Sequence, residues 1–141
     1  MQIKQFFYGG DNLGYLLYAG STALAIDGGA VEEILAFARE NSLLLTHVTN
    51  THGHGDHTSG NRQLMEASGA VHLDHRRFVE GQTIDLADEA IAVRLTPGHT
   101  RDSVCFAADD FLVTGDTLFN GTVGNCFSGD LQAFYHSIRL L

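Results

Sequence analysis

The chain has 141 residues, of which 44% are apolar and 18% charged, the length and mixture of one globular domain of ordinary size. Its formal charge is −9, from 17 acidic and 8 basic residues, and a surface of that sign repels phosphate backbones, which argues against nucleic-acid binding. No run approaches the ~20 continuous apolar residues of a membrane span, Met1-Gln2-Ile3-Lys4-Gln5 lacks a signal-peptide pattern, and two cysteines, Cys105 and Cys126, are too few for a disulfide framework, so a reducing cytoplasm is the expected setting.

Three short strands are expected first, at Ile3 to Tyr8, Gly14 to Tyr18 and Thr22 to Ile26, arranged as a meander. Val31 to Ala38 carries apolar residues at helical spacing and predicts an amphipathic helix. Leu43 to Thr49 is an apolar, β-branched run, expected as a buried strand that delivers the chain to His52. Asn61 to Ala67 predicts a short helix and Ala70 to Leu73 a short strand. Strands follow at Ala90 to Leu95, Ser103 to Ala107 and Phe111 to Thr114, and an apolar-rich helix at Leu131 to Leu141. The one proline, Pro97, falls in the turn Thr96-Pro97-Gly98-His99.

Eight histidines are many for this length, and histidine is a common metal ligand. Four candidate ligands lie together in Thr51-His52-Gly53-His54-Gly55-Asp56-His57. In an extended segment His52 and His54 point the same way and can share an ion, leaving Asp56 and His57 for a second one. Glycines at 53 and 55 would keep side chains away from the ion and allow unusual backbone angles. His99 and Asp116 also follow strands, so loops beyond strand ends can bring all six residues together. Imidazoles with carboxylates suit zinc first, and iron or manganese as well. Taken alone, His99 reads as a turn histidine and Asp116 as a turn residue; beside the main loop both read as ligands. His47 is expected as a satisfied core histidine, His72 and His75 as part of a solvated patch with Asp74, Arg76 and Arg77, and His136 as a plain helix residue. Cys105 reads as inert core, and the phenylalanines as core rather than a substrate box.

The segments Thr51 to Asn61, Thr96-Pro97-Gly98-His99-Thr100, Gly115-Asp116-Thr117-Leu118-Phe119 and Ile26-Asp27-Gly28-Gly29 together resemble the metallo-β-lactamase superfamily, within it the glyoxalase II-like thioester hydrolases. The resemblance implies an α/β fold, an αββα sandwich with metals at one edge. It implies that His52, His54 and His99 hold one metal, that Asp56 and His57 hold a second, and that Asp116 bridges. Asp56 is also the residue expected to serve catalysis directly. Asp27 is implied as the acceptor that orients a ligand histidine. The implied activity is hydrolysis of a small-molecule thioester through a metal-bound hydroxide.

Two departures limit what the resemblance carries. The family places a further metal-binding histidine beyond the helix that begins near Leu131, so residues 1–141 are expected to be an N-terminal fragment with the second half of the sandwich incomplete. Core surface exposed by such a truncation predicts a homo-oligomer. Asn125 also stands about where the glyoxalase II-like branch has a basic residue for glutathione. A mononuclear iron persulfide dioxygenase, using His54, His99 and Asp116, is the alternative enzyme, and a catalytically incomplete binding module the non-enzymatic one.

Overall fold

Alternating apolar residues build the first sheet. The computed structural model describes residues 1–141, and in it β1 (Gln2–Tyr8), β2 (Asn12–Ala19) and β3 (Thr22–Ile26) form the expected antiparallel meander. Next, β4 (Leu44–Thr49) and β5 (Val71–His72) add in parallel, giving five strands in the order β1-β2-β3-β4-β5. Parallel neighbours need a crossover. Helix α1 (Val31–Glu40) supplies the one between β3 and β4. A single turn, α2 (Gly55–Thr58), and then α3 (Asn61–Ser68) supply the one between β4 and β5.

The second sheet is an antiparallel meander of four strands, β6 (Thr83–Leu86), β7 (Glu89–Leu95), β8 (Val104–Ala108) and β9 (Phe111–Val113). A two-stranded hairpin, β10 (Leu118–Phe119) with β11 (Thr122–Val123), and helix α4 (Leu131–Leu140) complete the chain. The sequence reading missed β6, although Thr83-Ile84-Asp85-Leu86 alternates as a half-buried strand should: Ile84 and Leu86 are buried, Thr83 and Asp85 exposed.

Successive side chains of a strand face opposite ways, and here both faces of the first sheet are covered. On one side Leu16, Ala23, Ala25 and Val48 pack against Ile34 and Ala38 of α1 and Leu64 of α3. On the other, Leu17, Leu24 and Ile26 meet Ile91, Val93, Val104 and Phe106 of the second sheet. This two-sided burial explains the unbroken apolar run Ala23-Leu24-Ala25-Ile26. Each fully buried leucine, isoleucine or phenylalanine contributes roughly 1.5–3 kcal/mol relative to exposure.

The layers are helix, sheet, sheet and, beyond them, α4 alone. That helix is seated on the turn after β7. Phe134 is buried where a side chain at Gly98 would otherwise lie, and the Ser137 hydroxyl donates to the Pro97 carbonyl at 2.8 Å. These are the layers of an αββα sandwich, with the fourth sparsely filled. No helix is long and apolar enough to cross a membrane.

Candidate metal centre

The histidine loop is held at both ends before any ligand is considered. The Asn50 side chain is buried at the exit of β4 and donates to the His57 carbonyl at 2.7 Å. It also exchanges two hydrogen bonds with the Asn61 amide, at 3.2 and 2.6 Å. Residues 55–58 wind into α2, with the His57 and Thr58 amides donating to the His54 carbonyl. The extended geometry expected for His52 and His54 therefore ends at His54, and Asp56 and His57 lie on a helical turn. Winding turns His57 inward and Asp56 outward: the Asp56 side chain is 56% exposed and accepts from the Asn12 amide at 3.0 Å.

Gly53 and Gly55 do not serve as the sequence suggested, since neither has a positive φ. A side chain at Gly55 would meet nothing within 4 Å. One at Gly53 would lie 2.9 Å from Asp102 Oδ2, so the space it leaves belongs to that carboxylate and not to an ion. Gly115 does need left-handed backbone, at φ +49°, and its missing side chain leaves room for Thr51.

Ring nitrogens and carboxylate oxygens converge at the loop ends. His52 Nε2 lies 2.9 Å from His54 Nδ1, which lies 3.1 Å from His99 Nε2. Asp116 turns Oδ2 to His99 Nε2 and Oδ1 to His57 Nε2, each at 3.4 Å. The ligand atoms of His52, His54, His99 and Asp116 all fall within 4.8 Å of one another. Four atoms bound tetrahedrally at zinc–nitrogen distances stand about 3.3 Å apart, so the cluster has the size of one ion's shell. Asp56 and His57 form the outer group: Asp56 Oδ2 is 3.8 Å from His57 Nε2. Asp116 stands between the two groups, where a bridging carboxylate belongs.

Buried acceptors set the tautomers. Asp27 is fully buried, at φ 52°; Oδ1 accepts from the Thr51 amide at 2.8 Å, and Oδ2 from the Thr51 hydroxyl at 2.6 Å and His57 Nδ1 at 3.0 Å. With its proton committed to Asp27, the Thr51 hydroxyl can only accept from His52 Nδ1, 3.0 Å away. His99 Nδ1 donates to the Asn125 carbonyl at 2.9 Å. His52, His57 and His99 therefore each point an unprotonated Nε2 into the cluster when neutral. The His57 Nε2 is buried and makes no hydrogen bond.

Charge follows the same layout. Burial lowers His52 to about 4, aided by His57. Burial also opposes charge on His57, but Asp116 and Asp27 outweigh it and lift the metal-free imidazole to about 10. His99 is lowered, by burial first. The protonated His57 imidazole, with Nε2 3.4 Å away, holds the Asp116 carboxyl below its usual range.

His75, His47 and Phe127 depart from their sequence readings, whereas His72, His136 and Cys105 keep theirs. His75 is 5% exposed rather than part of a solvated patch, because Nε2 is bonded to Asp102 Oδ2 at 2.9 Å while Asp74 pairs outside with Arg76. His47 is only half-buried, and its ring contacts the neighbouring Thr46 hydroxyl. His72 and His136 are exposed. Cys105 is buried core, its thiol pushed up to about 11 by burial. Phe6, Phe78, Phe106 and Phe134 are core, but Phe127 is 66% exposed and sets its ring 5.9 Å from His54 and 5.2 Å from His99. Asn12 and Asp102 carried no metal-ligand spacing in the sequence, so only the fold reveals them. An open cavity of about 450 Å³ adjoins His57 and Asp116, lined also by Asn12, Tyr15, Leu118 and Phe119.

A sequence profile of the metallo-beta-lactamase superfamily matches residues 9–78. The hydroxyacylglutathione hydrolase of Xanthomonas euvesicatoria pv. vesicatoria is 32% identical over 136 residues, covering 89% of this chain and 53% of the relative. That of Anaeromyxobacter dehalogenans is 39% identical over 132 residues, covering 86% and 52%. The crystal structure of ETHE1 from Myxococcus xanthus superposes with a TM-score of 0.89 at 28% identity, over 99% of this chain and 68% of that one. The chain spans about half the length of the curated relatives it matches.

Proposed function

The chain belongs to the metallo-β-lactamase superfamily, and from that premise we propose that it is the metal-holding part of a metal-dependent thioester hydrolase. The observation that carries the reading is the convergence of His52, His54 and His99 with Asp116, which also faces His57. The residues fit a cation. The Nε2 atoms of His52 and His99, bare when neutral, both face His54 Nδ1, where one proton can serve only one of them but a cation can serve all three, and the buried His57 Nε2 makes no hydrogen bond. His52, His54, His99 and Asp116 would hold the first ion, and Asp56, His57 and Asp116 a second. Zinc suits these ligands best, with iron or manganese as substitutes. When bound, the metal supplies Lewis acidity and brings the pKa of water toward neutrality.

The chain's own groups orient that chemistry. Asp27 fixes the His57 ring directly and the His52 ring through Thr51. Asn12 holds Asp56, the residue assigned the direct catalytic part. Phe127 gives the centre an apolar wall. The named substrate of the relatives is a hydroxyacyl thioester of glutathione. Asn125 offers only its carbonyl, to His99, and the adjoining cavity contains no lysine or arginine, so residues 1–141 supply no cation there for the glutathione carboxylates. Two free cysteines support a reducing cytoplasm as the setting. Leu131, Tyr135 and Leu140, exposed on α4, support a homo-oligomer.

The test is hydrolysis of a panel of acyl-thiols by zinc-loaded protein, with metal counted per chain. Turnover that disappears in His52→Ala together with the metal is expected; undiminished turnover in that variant would overturn the reading. The tightness of the inner group favours one alternative, a mononuclear iron dioxygenase acting on a persulfide. One iron per chain, with oxygen consumption on glutathione persulfide and no thioester hydrolysis, would select it.

A further inference from the structure

One histidine–carboxylate pair lies outside the ligand set and stands between two of the loops that build it. His75 sits in the 3-10 turn His75–Arg77, far from the centre in sequence. It donates Nε2–H to Asp102 Oδ2 at 2.9 Å, while its Nδ1 is buried without a partner. Asp102 lies three residues past His99. Its Oδ1 accepts from the Thr100 hydroxyl at 2.6 Å. The Ser103 hydroxyl donates to Thr100 Oγ1 at 2.7 Å and accepts from the Thr100 amide at 3.0 Å. Asp102 Oδ2 fills the space beneath Gly53, the residue between His52 and His54. Just beyond, the Val104 amide donates to the Thr51 carbonyl at 2.8 Å. The pair is thus wedged between the loop carrying His52 and His54 and the turn carrying His99.

We infer that His75 and Asp102 are a positioning pair that sets the separation of the His52/His54 loop from the His99 turn, and through it the fit of the metal site. The inference rests on the metal-centre reading above. The Asp102 side chain is 32% exposed, so what keeps Oδ2 turned inward under Gly53 is its bond to His75, together with the bond from Thr100 to Oδ1. Removing His75 frees Asp102 to turn toward solvent and leaves the underside of Gly53 unsupported. Removing Asp102 leaves His75 buried with both ring nitrogens unpaired and opens a gap below the loop. Either change lets His54 and His99 drift apart while both sheets keep their core. Changes in such supporting contacts alter metal affinity by about ten- to a hundredfold.

The experiment is titration of the metal-free chain with cobalt(II), reading the dissociation constant by chelator competition and the coordination geometry by visible absorption. Asp102→Ala and His75→Ala are each expected to weaken cobalt by about tenfold or more and to change the absorption band. The double variant should be little worse than either single one. His75→Gln, whose side-chain N–H can replace Nε2–H, should recover most of the affinity and the parental band. Unfolding of the metal-free variants by urea is followed alongside; if Asp102→Ala does not fold, Asp102→Asn takes its place. Cobalt affinity and spectrum that stay parental in folded variants would overturn the inference alone. A band that is unchanged while affinity follows stability would also overturn it, making the pair purely structural. A parent chain that takes up no cobalt would overturn the metal-centre reading and this inference with it.

Discussion

At the scale of single residues, Asp27 anchors the candidate centre from beneath. Its carboxylate accepts three hydrogen bonds in full burial. In Asp27→Asn one oxygen becomes an NH₂ that faces donors, so a buried network is broken without a substitute. The expected loss is about 3–5 kcal/mol, measured by urea unfolding of the metal-free chain, with metal bound at least about tenfold more weakly. The two flanking histidines also set an opposite-sided pH dependence in the metal-free protein. His57 is raised to about 10, so its contribution is complete below its unfolded value of about 6.5 and is lost as pH rises toward 10. His52 is lowered to about 4, so folding is penalised as pH falls from about 6.5 toward 4. Their joint contribution therefore peaks near neutrality. Urea midpoints of chelator-treated protein should fall on both sides of that point, and the alkaline limb should vanish in His57→Gln. Metal at His57 Nε2 requires the neutral ring, so loading near pH 7 should also release a proton from His57, detectable in weakly buffered solution.

At the scale of elements, strands and long helices were legible because burial imposes a period on the sequence: Leu16 and Leu17 alternate between two cores, and Ile34 and Ala38 share one helix face. The winding of α2 was not legible, because glycine and polar residues carry no period, so the sequence separates Asp56 and His57 from His52 and His54 without showing the helical turn that does it. His75 was misread for a related reason. Its Nε2 partner is Asp102, 27 residues away, while Asp74, Arg76 and Arg77 beside it are charged. Close packing between elements was equally hidden. A side chain at Gly60, just before α3, would stand 2.0 Å from the Gly28 carbonyl oxygen and 2.9 Å from Val31. Backbone cannot yield as a flexible side chain can. Gly60→Ala should thus cost about 2–3 kcal/mol, whereas Gly55→Ala, with nothing within 4 Å, should change stability by about 0.5 kcal/mol or less. Equal urea midpoints for the two variants would show that the α1–α3 junction adapts more freely than its geometry indicates.

At the scale of the whole molecule, the candidate ligand positions were legible in the sequence because metal chemistry needs particular residue types at strand ends, whereas the substrate side was not, because it is built from backbone, packing and net field. The chain carries −9 overall. Asp11 and Asp116 line the cavity beside the centre, with no lysine or arginine among its walls. Such a field draws divalent cations in and repels anionic substrates. A glutathione thioester carries carboxylates and should meet that repulsion in full at low salt. A thioester of an uncharged thiol should not. Exposed charges are screened over about 10 Å at 0.1 M salt and over about 30 Å at 0.01 M. Raising ionic strength across that range at constant metal loading should therefore raise kcat/KM several-fold for the glutathione thioester, mainly through KM, and leave the neutral thioester nearly flat. Asp11→Asn should lift the low-salt value for glutathione alone. If glutathione thioesters are instead favoured at low salt, and lose that advantage as salt rises, then cationic groups outside these residues must hold the carrier, and the acidic field of this part of the molecule does not select the substrate.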